Sequence, residues 1–137
     1  MFTVSGSHPY GEEGTFPITV QITDADGSVA TASSSATVTD AALTITQSAT
    51  SAIGPGGAIG ATFTDADAQG TVTDYTALIA WGDGAVSAGF IAKDPFSAGF
   101  AAGSTHRYAR QGKYVVTLTI RDSGGTSVSI TKLIVIR

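Results

Sequence analysis

The stretch AWGDGAVSAGF, residues 80–90, decides how this sequence is interpreted. The residues before it predict a β-strand that would carry Trp81 into a core. Gly82, Asp83 and Gly84 then predict a tight hairpin turn, because glycine accepts positive φ values and aspartate hydrogen-bonds to the turn backbone. Asp83 therefore has a structural interpretation, as a turn residue, and a chemical one, as a catalytic or metal-binding carboxylate.

The chemical interpretation of Asp83 needs a partner, and His106 is the nearest candidate. In the expected topology both lie at one end of the domain, so we predict a contact that clasps two loops. A histidine also occupies the matching position of an internal repeat, His8, which assigns it to the repeat unit. The sequence shows no cysteine nucleophile, no phosphate-binding loop before a helix and no histidine cluster for zinc. We therefore do not expect an enzyme.

The composition limits the remaining classes of function. Only 13% of the 137 residues are charged and 42% are hydrophobic, with a net charge of −4. The acidic balance argues against nucleic-acid binding, which requires a basic face. No apolar run approaches the ~18 residues of a membrane span, so membrane insertion is not expected. The stretch MFTVSGSHPY has no signal-peptide pattern.

An internal repeat organises the chain. Residues 2–28 align without gaps on residues 100–126, at a constant offset of 98. We therefore predict two domains: the C-terminal half of one copy in residues 1–40, and a complete copy in residues 41–137. The half copy is expected to form about three strands, with Phe2 and Val4 on the first, Phe16, Ile18, Val20 and Ile22 on the second, and Val29 and Val38 on the third.

The local patterns predict an all-β protein. TFPITVQIT and KYVVTLTIR alternate with the period of two typical of strands. Further strands are predicted over ALTITQ, AIGATFTDAD, YTALIAWGDG, AVSAGFIAKD, FSAGFAAG and SVSITKLIVIR, separated by glycine- and aspartate-containing turns. Seven or so short strands at this spacing favour a β-sandwich.

The order of these motifs resembles the PKD (polycystic kidney disease) type of immunoglobulin-like repeat. The resemblance is to a tryptophan strand ending in Gly-Asp-Gly, then His-x-Tyr, a glycine, a Tyr/Val strand and an Asp-x-x-Gly turn. The matching residues are Trp81, Gly82, Asp83, Gly84, His106, Tyr108, Gly112, Tyr114 and Asp122. The usual Trp-x-Phe-Gly-Asp-Gly is shortened here to Trp-Gly-Asp-Gly. The resemblance implies an extracellular or cell-surface spacer, an adhesion module or an appendage of a secreted hydrolase, and Tyr108 resembles a tyrosine corner whose hydroxyl bonds nearby backbone.

Aspartates outside the hairpin suggest a calcium site. ITDADGS and FTDADAQG each place two aspartates at i and i+2 in a turn, which resembles the start of a calcium loop. A calcium ion at the junction between the two domains would draw on five carboxylates: Asp40, Asp65, Asp67, Asp74 and Asp122. Asp24 and Asp26 would form the matching edge of the first domain, as candidate ligands that face a domain absent from this chain. The alternative is that each aspartate caps its own turn.

Two functions remain open. The first is a non-catalytic structural or adhesive repeat, stacked in tandem or self-associating as a homo-oligomer, with calcium as a possible stiffening ion. The second is a module that binds carbohydrate or a matrix protein for a secreted hydrolase, which requires an exposed aromatic platform. Phe90, Phe96 and Phe100 are the candidates for that platform, although we expect them in the core.

Overall fold

A computed structural model of the chain describes residues 2–67 and 69–137. The chain divides into two compact units, one ending at Asp40 and the other covering Ala41–Arg137. Ten β-strands, β1 to β10, and one short 3-10 turn, Val72–Asp74, make up the regular structure of the described residues, which include no α-helix. The predicted all-β class is confirmed.

The larger unit is a sandwich of two four-stranded antiparallel sheets. In the first sheet the spatial order is β3 (Leu43–Ile53), β4 (Gly56–Asp65), β8 (Phe100–Arg107) and β7 (Phe90–Lys93). In the second it is β10 (Ser127–Ile136), β9 (Gly112–Asp122), β5 (Tyr75–Ala80) and β6 (Val86–Ala88). This arrangement is that of an immunoglobulin-like sandwich, as the sequence predicted.

The core follows the strand alternation that the sequence displays. On β4 and β5 every second residue is buried, since successive side chains point to opposite faces of a sheet. The largest side chains with no exposed surface come from β4, from β5 and the residue after it, and from β9: Trp81, Phe63, Ile79, Leu118, Ile120 and Val116. Trp81 thus lies in the core, immediately before the Gly-Asp-Gly turn.

The strand predicted over AVSAGFIAKD is wrong. AVSAGFIAKD was expected to be a single strand, but it divides at Gly89 into β6 and β7, which belong to different sheets. The Gly89 N–H donates to the Ala77 carbonyl at 2.9 Å. A Cβ at Gly89 would lie 2.8 Å from Ile79 Cδ1 and 2.9 Å from the Gly103 carbonyl oxygen, so only glycine fits where the chain crosses between the sheets.

The chain enters and leaves the sandwich at opposite ends. At the entry end, the first residue of β3, Leu43, pairs with Asp65, and Asp122 pairs with Tyr75. At the exit end, Ile136 of β10 pairs with Gly112. Strands β3 and β10 contact each other between the sheets, and both run from the entry end to the exit end. A ten-residue strand spans about 30 Å, which sets the length of the unit.

The smaller unit is a two-stranded hairpin rather than the expected three strands. Strand β1 (Gly14–Thr23) pairs with β2 (Val29–Val38) over ten residue pairs. At the offset of 98, each of these pairs corresponds to a pair of the β9–β10 hairpin. Residues 2–9 correspond to β8, but β8 is held by β4 and β7, and the hairpin unit has no counterpart of those strands. Phe2 and Val4 are accordingly exposed.

Candidate functional site

The Gly-Asp-Gly turn closes the β5–β6 hairpin. The Trp81 N–H donates to the Ala85 carbonyl at 2.9 Å, and the Ala85 N–H donates to Asp83 Oδ1 at 3.0 Å. Gly82 and Gly84 have φ values of 81° and 96°, which residues with a side chain rarely adopt. The indole Nε1 of Trp81 donates to Ser87 Oγ at 2.9 Å, so the hairpin also satisfies the polar atom of the core tryptophan.

The structure brings Asp83 and His106 together. Asp83 Oδ2 lies 2.7 Å from His106 Nε2, and since an ionised carboxylate only accepts hydrogen bonds, the imidazole donates. The imidazole also stacks on the Trp81 ring, with centroids 5.1 Å apart at 21°. Both Asp83 oxygens are thus bound within the fold, and the hydrogen bond from His106 is the main reason why the pKa of Asp83 lies below its usual value.

Tyr108 does not make the local hydroxyl bond that was expected of it. Tyr108 is buried, and its hydroxyl donates to the Trp81 carbonyl at 3.0 Å, across the sandwich and not to nearby backbone. The local bond of a tyrosine corner is made by Tyr114, whose hydroxyl donates to the Arg110 carbonyl at 2.9 Å. The two rings stack with centroids 4.1 Å apart. Gly112 opens β9 beside this stack, and a Cβ there would lie 3.4 Å from the Tyr114 ring.

The Tyr108→Phe variant should be less stable than Tyr114→Phe. The first removes a buried donor and leaves the Trp81 carbonyl without that bond, which costs about 1–3 kcal/mol. The second removes a bond at the surface, which costs about 0.5–1 kcal/mol. Urea unfolding followed by Trp81 fluorescence measures both. Equal losses would contradict the assignment of Tyr108 as the buried tie.

The Asp83–His106 bond should make stability depend on pH. Because the pKa of Asp83 is lowered in the folded state, its contribution is present above the unfolded value of about 4 and is lost as the pH falls through the folded pKa. The pair is partly exposed, so we expect the effect to be no more than about 1 kcal/mol. Asp83→Asn should flatten the decline in unfolding free energy as the pH falls below about 4. A decline as steep as that of the native chain would refute the assignment.

Most of the candidate calcium ligands cap their own turns. Asp24 Oδ1 accepts the N–H groups of Asp26 and Ser28, and Asp122 Oδ1 accepts that of Gly125. The other turn carboxylates behave alike: Asp65 Oδ1 accepts the Asp67 N–H, Asp67 Oδ1 the Gln69 N–H, and Asp74 Oδ2 the Thr71 N–H. Asp40 ends the hairpin unit. The FTDADAQG turn includes Ala68, which lies outside the described residues.

Two of the candidate aspartates, Asp65 and Asp122, lie next to Tyr75. The Tyr75 hydroxyl donates to Asp65 Oδ2 at 2.8 Å, and Asp122 is the register partner of Tyr75. Burial raises the pKa of Tyr75, as does the bond to Asp65. Within residues 2–67 and 69–137, no group of three or more His, Asp or Glu side chains is arranged to hold a metal ion. Calcium binding stays a prediction.

Sequence reasoning missed the exposed aromatics. Phe100 is buried as expected, but Phe90 is 57% and Phe96 is 95% exposed. Of the three candidates for an aromatic platform, Phe90 and Phe96 are therefore accessible to a ligand and Phe100 is not. Phe90 lines a groove of about 680 Å³ on the outer face of the β3–β4–β8–β7 sheet. Gly103 is the register partner of Phe90, and a Cβ there would lie 3.3 Å from the Phe90 ring, but this pairing is long-range and no local sequence pattern indicates it.

Comparison with known proteins identifies the fold. No protein-family model matches the chain, and no curated protein matches its sequence. The PKD1 domain of Vibrio anguillarum Epp matches with a TM-score of 0.51 and 17% identity, covering 72% of this chain and 98% of that domain. The predicted resemblance is thereby confirmed at the level of fold: the chain contains an immunoglobulin-like sandwich of the PKD type.

Two further solved structures match with lower scores. The PKD1 domain of the Vibrio cholerae metalloprotease PrtV has a TM-score of 0.44 and 21% identity, over 72% of this chain and 98% of that one. The PKD domain of an M14-like peptidase from a Thermoplasmatales archaeon has a TM-score of 0.43 and 22% identity, over 71% of this chain and 92% of that one.

Within the described residues, no helix has the length and apolar character that a membrane span requires.

Proposed function

We propose that residues 41–137 form a non-catalytic structural module of an extracellular or cell-surface protein, which holds its neighbours in a tandem array at a fixed distance. The extracellular placement rests on the PKD-type fold and motifs. The mechanical part rests on one observation: the chain enters and leaves the sandwich at opposite ends, with its first and last strands side by side.

This geometry determines how tension loads the unit. Strands β3 and β10 contact each other and run in the same direction, so pulling on the two ends makes them slide past one another. Sliding requires the contacts along both strands to break together, whereas peeling breaks them one after another. Both strands bury apolar side chains, among them Leu43, Ile134 and Ile136. A unit built in this way resists extension along its length.

Single-molecule force spectroscopy tests the spacer function. The full chain lacks cysteine, so cysteines introduced at Ala42 and Arg137 give unique handles. We expect one cooperative unfolding event with a gain in contour length of about 30 nm. The control places the handles at Val86, which is exposed, and at Arg137, so that the sheet is peeled from its exit end. An unfolding force that is as low along the ends as in the control would refute the proposal.

The non-catalytic part of the proposal is supported by the occupation of the candidate groups. Asp83 and His106 bind each other and the turn, and the hydroxyl of Tyr108 is used by the Trp81 carbonyl. Among the described residues, no buried side-chain nitrogen or oxygen lacks a hydrogen-bond partner. A catalytic acid or base needs an atom that can reach a substrate, and these groups are used by the fold.

The partners in this proposal are neighbouring repeats, as expected from the sequence. Calcium is the ligand that the proposal includes. Thermal unfolding of the full chain in calcium and in chelator tests the ion. A midpoint that rises with calcium, and that rises less in Asp65→Asn than in the native chain, would support a stiffening role. An equal midpoint of thermal unfolding in calcium and in chelator would contradict a role for calcium in the spacer.

A second candidate function is the binding of a neutral carbohydrate in the groove beside Phe90. The described lining residues carry no ionisable side chain; they combine small residues with hydroxyls and one amide, and Phe90 supplies an exposed ring. An aromatic face flanked by neutral hydrogen-bonding groups suits a sugar ring better than a charged ligand.

Affinity electrophoresis in gels that contain xylan or hydroxyethylcellulose tests this candidate. We expect the full chain to be retarded and Phe90→Ala to lose the retardation. Phe96→Ala is the matched control, because Phe96 is also exposed but is not a lining residue of the groove. Unretarded native chain, or equal behaviour of the two variants, would refute carbohydrate binding.

A further inference from the structure

The β1–β2 hairpin presents an apolar face. Phe16, Ile18, Val20 and Ile22 alternate along β1 on one side of the hairpin, because successive strand residues point to opposite faces. Their register partners on β2 are small: Ala36, Ser34, Ala32 and Ala30. Ile18, Val20 and Ile22 are 37%, 40% and 48% exposed. Two strands alone do not bury enough apolar surface to be stable in water.

The larger unit shows what covers such a face. Val116, Leu118 and Ile120 occupy the equivalent positions of β9, and none of them has exposed surface. Strand β5 pairs alongside, with Ile79 opposite Leu118, and Phe63 of β4 belongs to the same core. The covering strands β3 to β7 all lie in residues 41–99, which we call the front half of the repeat.

The hairpin keeps the geometry of a back half. Its ten residue pairs match those of β9–β10 at the constant offset. The preceding aromatic side chains match as well: His8 packs on Tyr10 edge to face at 4.9 Å, as His106 does on Tyr108 at 4.7 Å. Tyr10 stacks on Phe16 at 4.6 Å, as Tyr108 does on Tyr114 at 4.1 Å. The apolar face of the β1–β2 hairpin therefore matches the face of β9–β10 that the front half of the larger unit covers.

We propose that the apolar face of the β1–β2 hairpin docks a front half of the same repeat, a segment of the type formed by residues 41–99, carried on the same polypeptide. Docking would pair residues 2–9 as β8 is paired and would cover Ile18, Val20 and Ile22. A second copy of this chain is the competing occupant. Each copy has one front half and two back halves, so copies of this chain alone leave a back half uncovered.

The test is an extended chain in which a duplicate of residues 41–99 precedes Phe2. Hydrogen exchange followed by NMR or mass spectrometry reports on the β1–β2 amides and on residues 2–9. We expect both to become protected by about 100-fold or more relative to the unextended chain, because exchange then requires opening of a packed unit. Unchanged exchange rates at these amides would overturn the proposal.

Paired variants separate docking from general effects of the extension. In the extended chain, Val20→Asp places a charge on the docking face and should abolish the new protection, whereas Thr19→Asp changes the opposite face and should keep it. Loss of protection in both variants, or in neither, would overturn the assignment of the face.

Light scattering of the unextended chain addresses the competing occupant. We expect a monomer. A dimer that Val20→Asp dissociates would overturn the proposal, because a second copy would then cover the face.

Discussion

Gly82→Ala should destabilise the sandwich by about 3 kcal/mol or more. Gly82 has a φ of 81°, which a residue with a side chain adopts only under strain. In addition, its Cβ would lie 2.5 Å from the carbonyl oxygen and 2.9 Å from the nitrogen of Val115. Both atoms belong to the backbone of a paired strand, so neither moves without disturbing β9. Urea unfolding followed by Trp81 fluorescence measures the loss.

Gly84→Ala is the matched control for this prediction. Gly84 lies in the same turn and has a comparable φ of 96°, but a Cβ there would meet no atom within 4 Å. It should therefore carry only the conformational strain, about 1 kcal/mol. If both variants lost the same stability, the close approach of the turn to Val115 would not matter.

Leu118→Ala should cost about 2–5 kcal/mol of unfolding free energy, whereas Val20→Ala should cost less than about 0.5 kcal/mol. The two residues occupy the same position of the repeat, and both belong to the central register of a hairpin. Leu118 is fully buried, so its truncation leaves a cavity among core side chains, while Val20 is 40% exposed. The fluorescence transition measures Leu118→Ala, and because the only tryptophan lies in the larger unit, far-ultraviolet circular dichroism is added for Val20→Ala. A large loss for Val20→Ala would show that its face is already covered in this chain.

The fold was predictable because its signals are local. The Gly-Asp-Gly turn and the alternation of KYVVTLTIR each involve residues that are close together in the sequence. The repeat offset is found by aligning one part of the sequence with another. The expected neighbourhood of Asp83 and His106 followed from topology alone. The capping of Asp24, Asp65 and Asp122 by their own turns was the alternative to calcium, and it too depends on spacings of two to four residues.

The features that could not be predicted depend on distant atoms. Gly89 interrupts AVSAGFIAKD, but a glycine within a strand pattern does not by itself indicate a change of sheet, which follows here from contacts with Ile79 and Gly103. Phe90 and Phe100 have the same residue type, but one lies on the outer face of its sheet and the other in the core. The strand expected over residues 2–9 is absent because a strand needs a neighbour for its backbone, and the sequence does not say whether one is present.

The shared register of the two hairpins has a consequence for how the sandwich folds. The β1–β2 hairpin holds the register of β9–β10 without the strands that cover the latter, so the register is encoded by the turn and the two strands themselves. In both turns the aspartate N–H donates across to the residue four positions later, Ser28 or Thr126, at 3.0 Å. The last hairpin can therefore form early, from contacts close in sequence, and present a template on which the slower, long-range pairing of β9 with β5 proceeds.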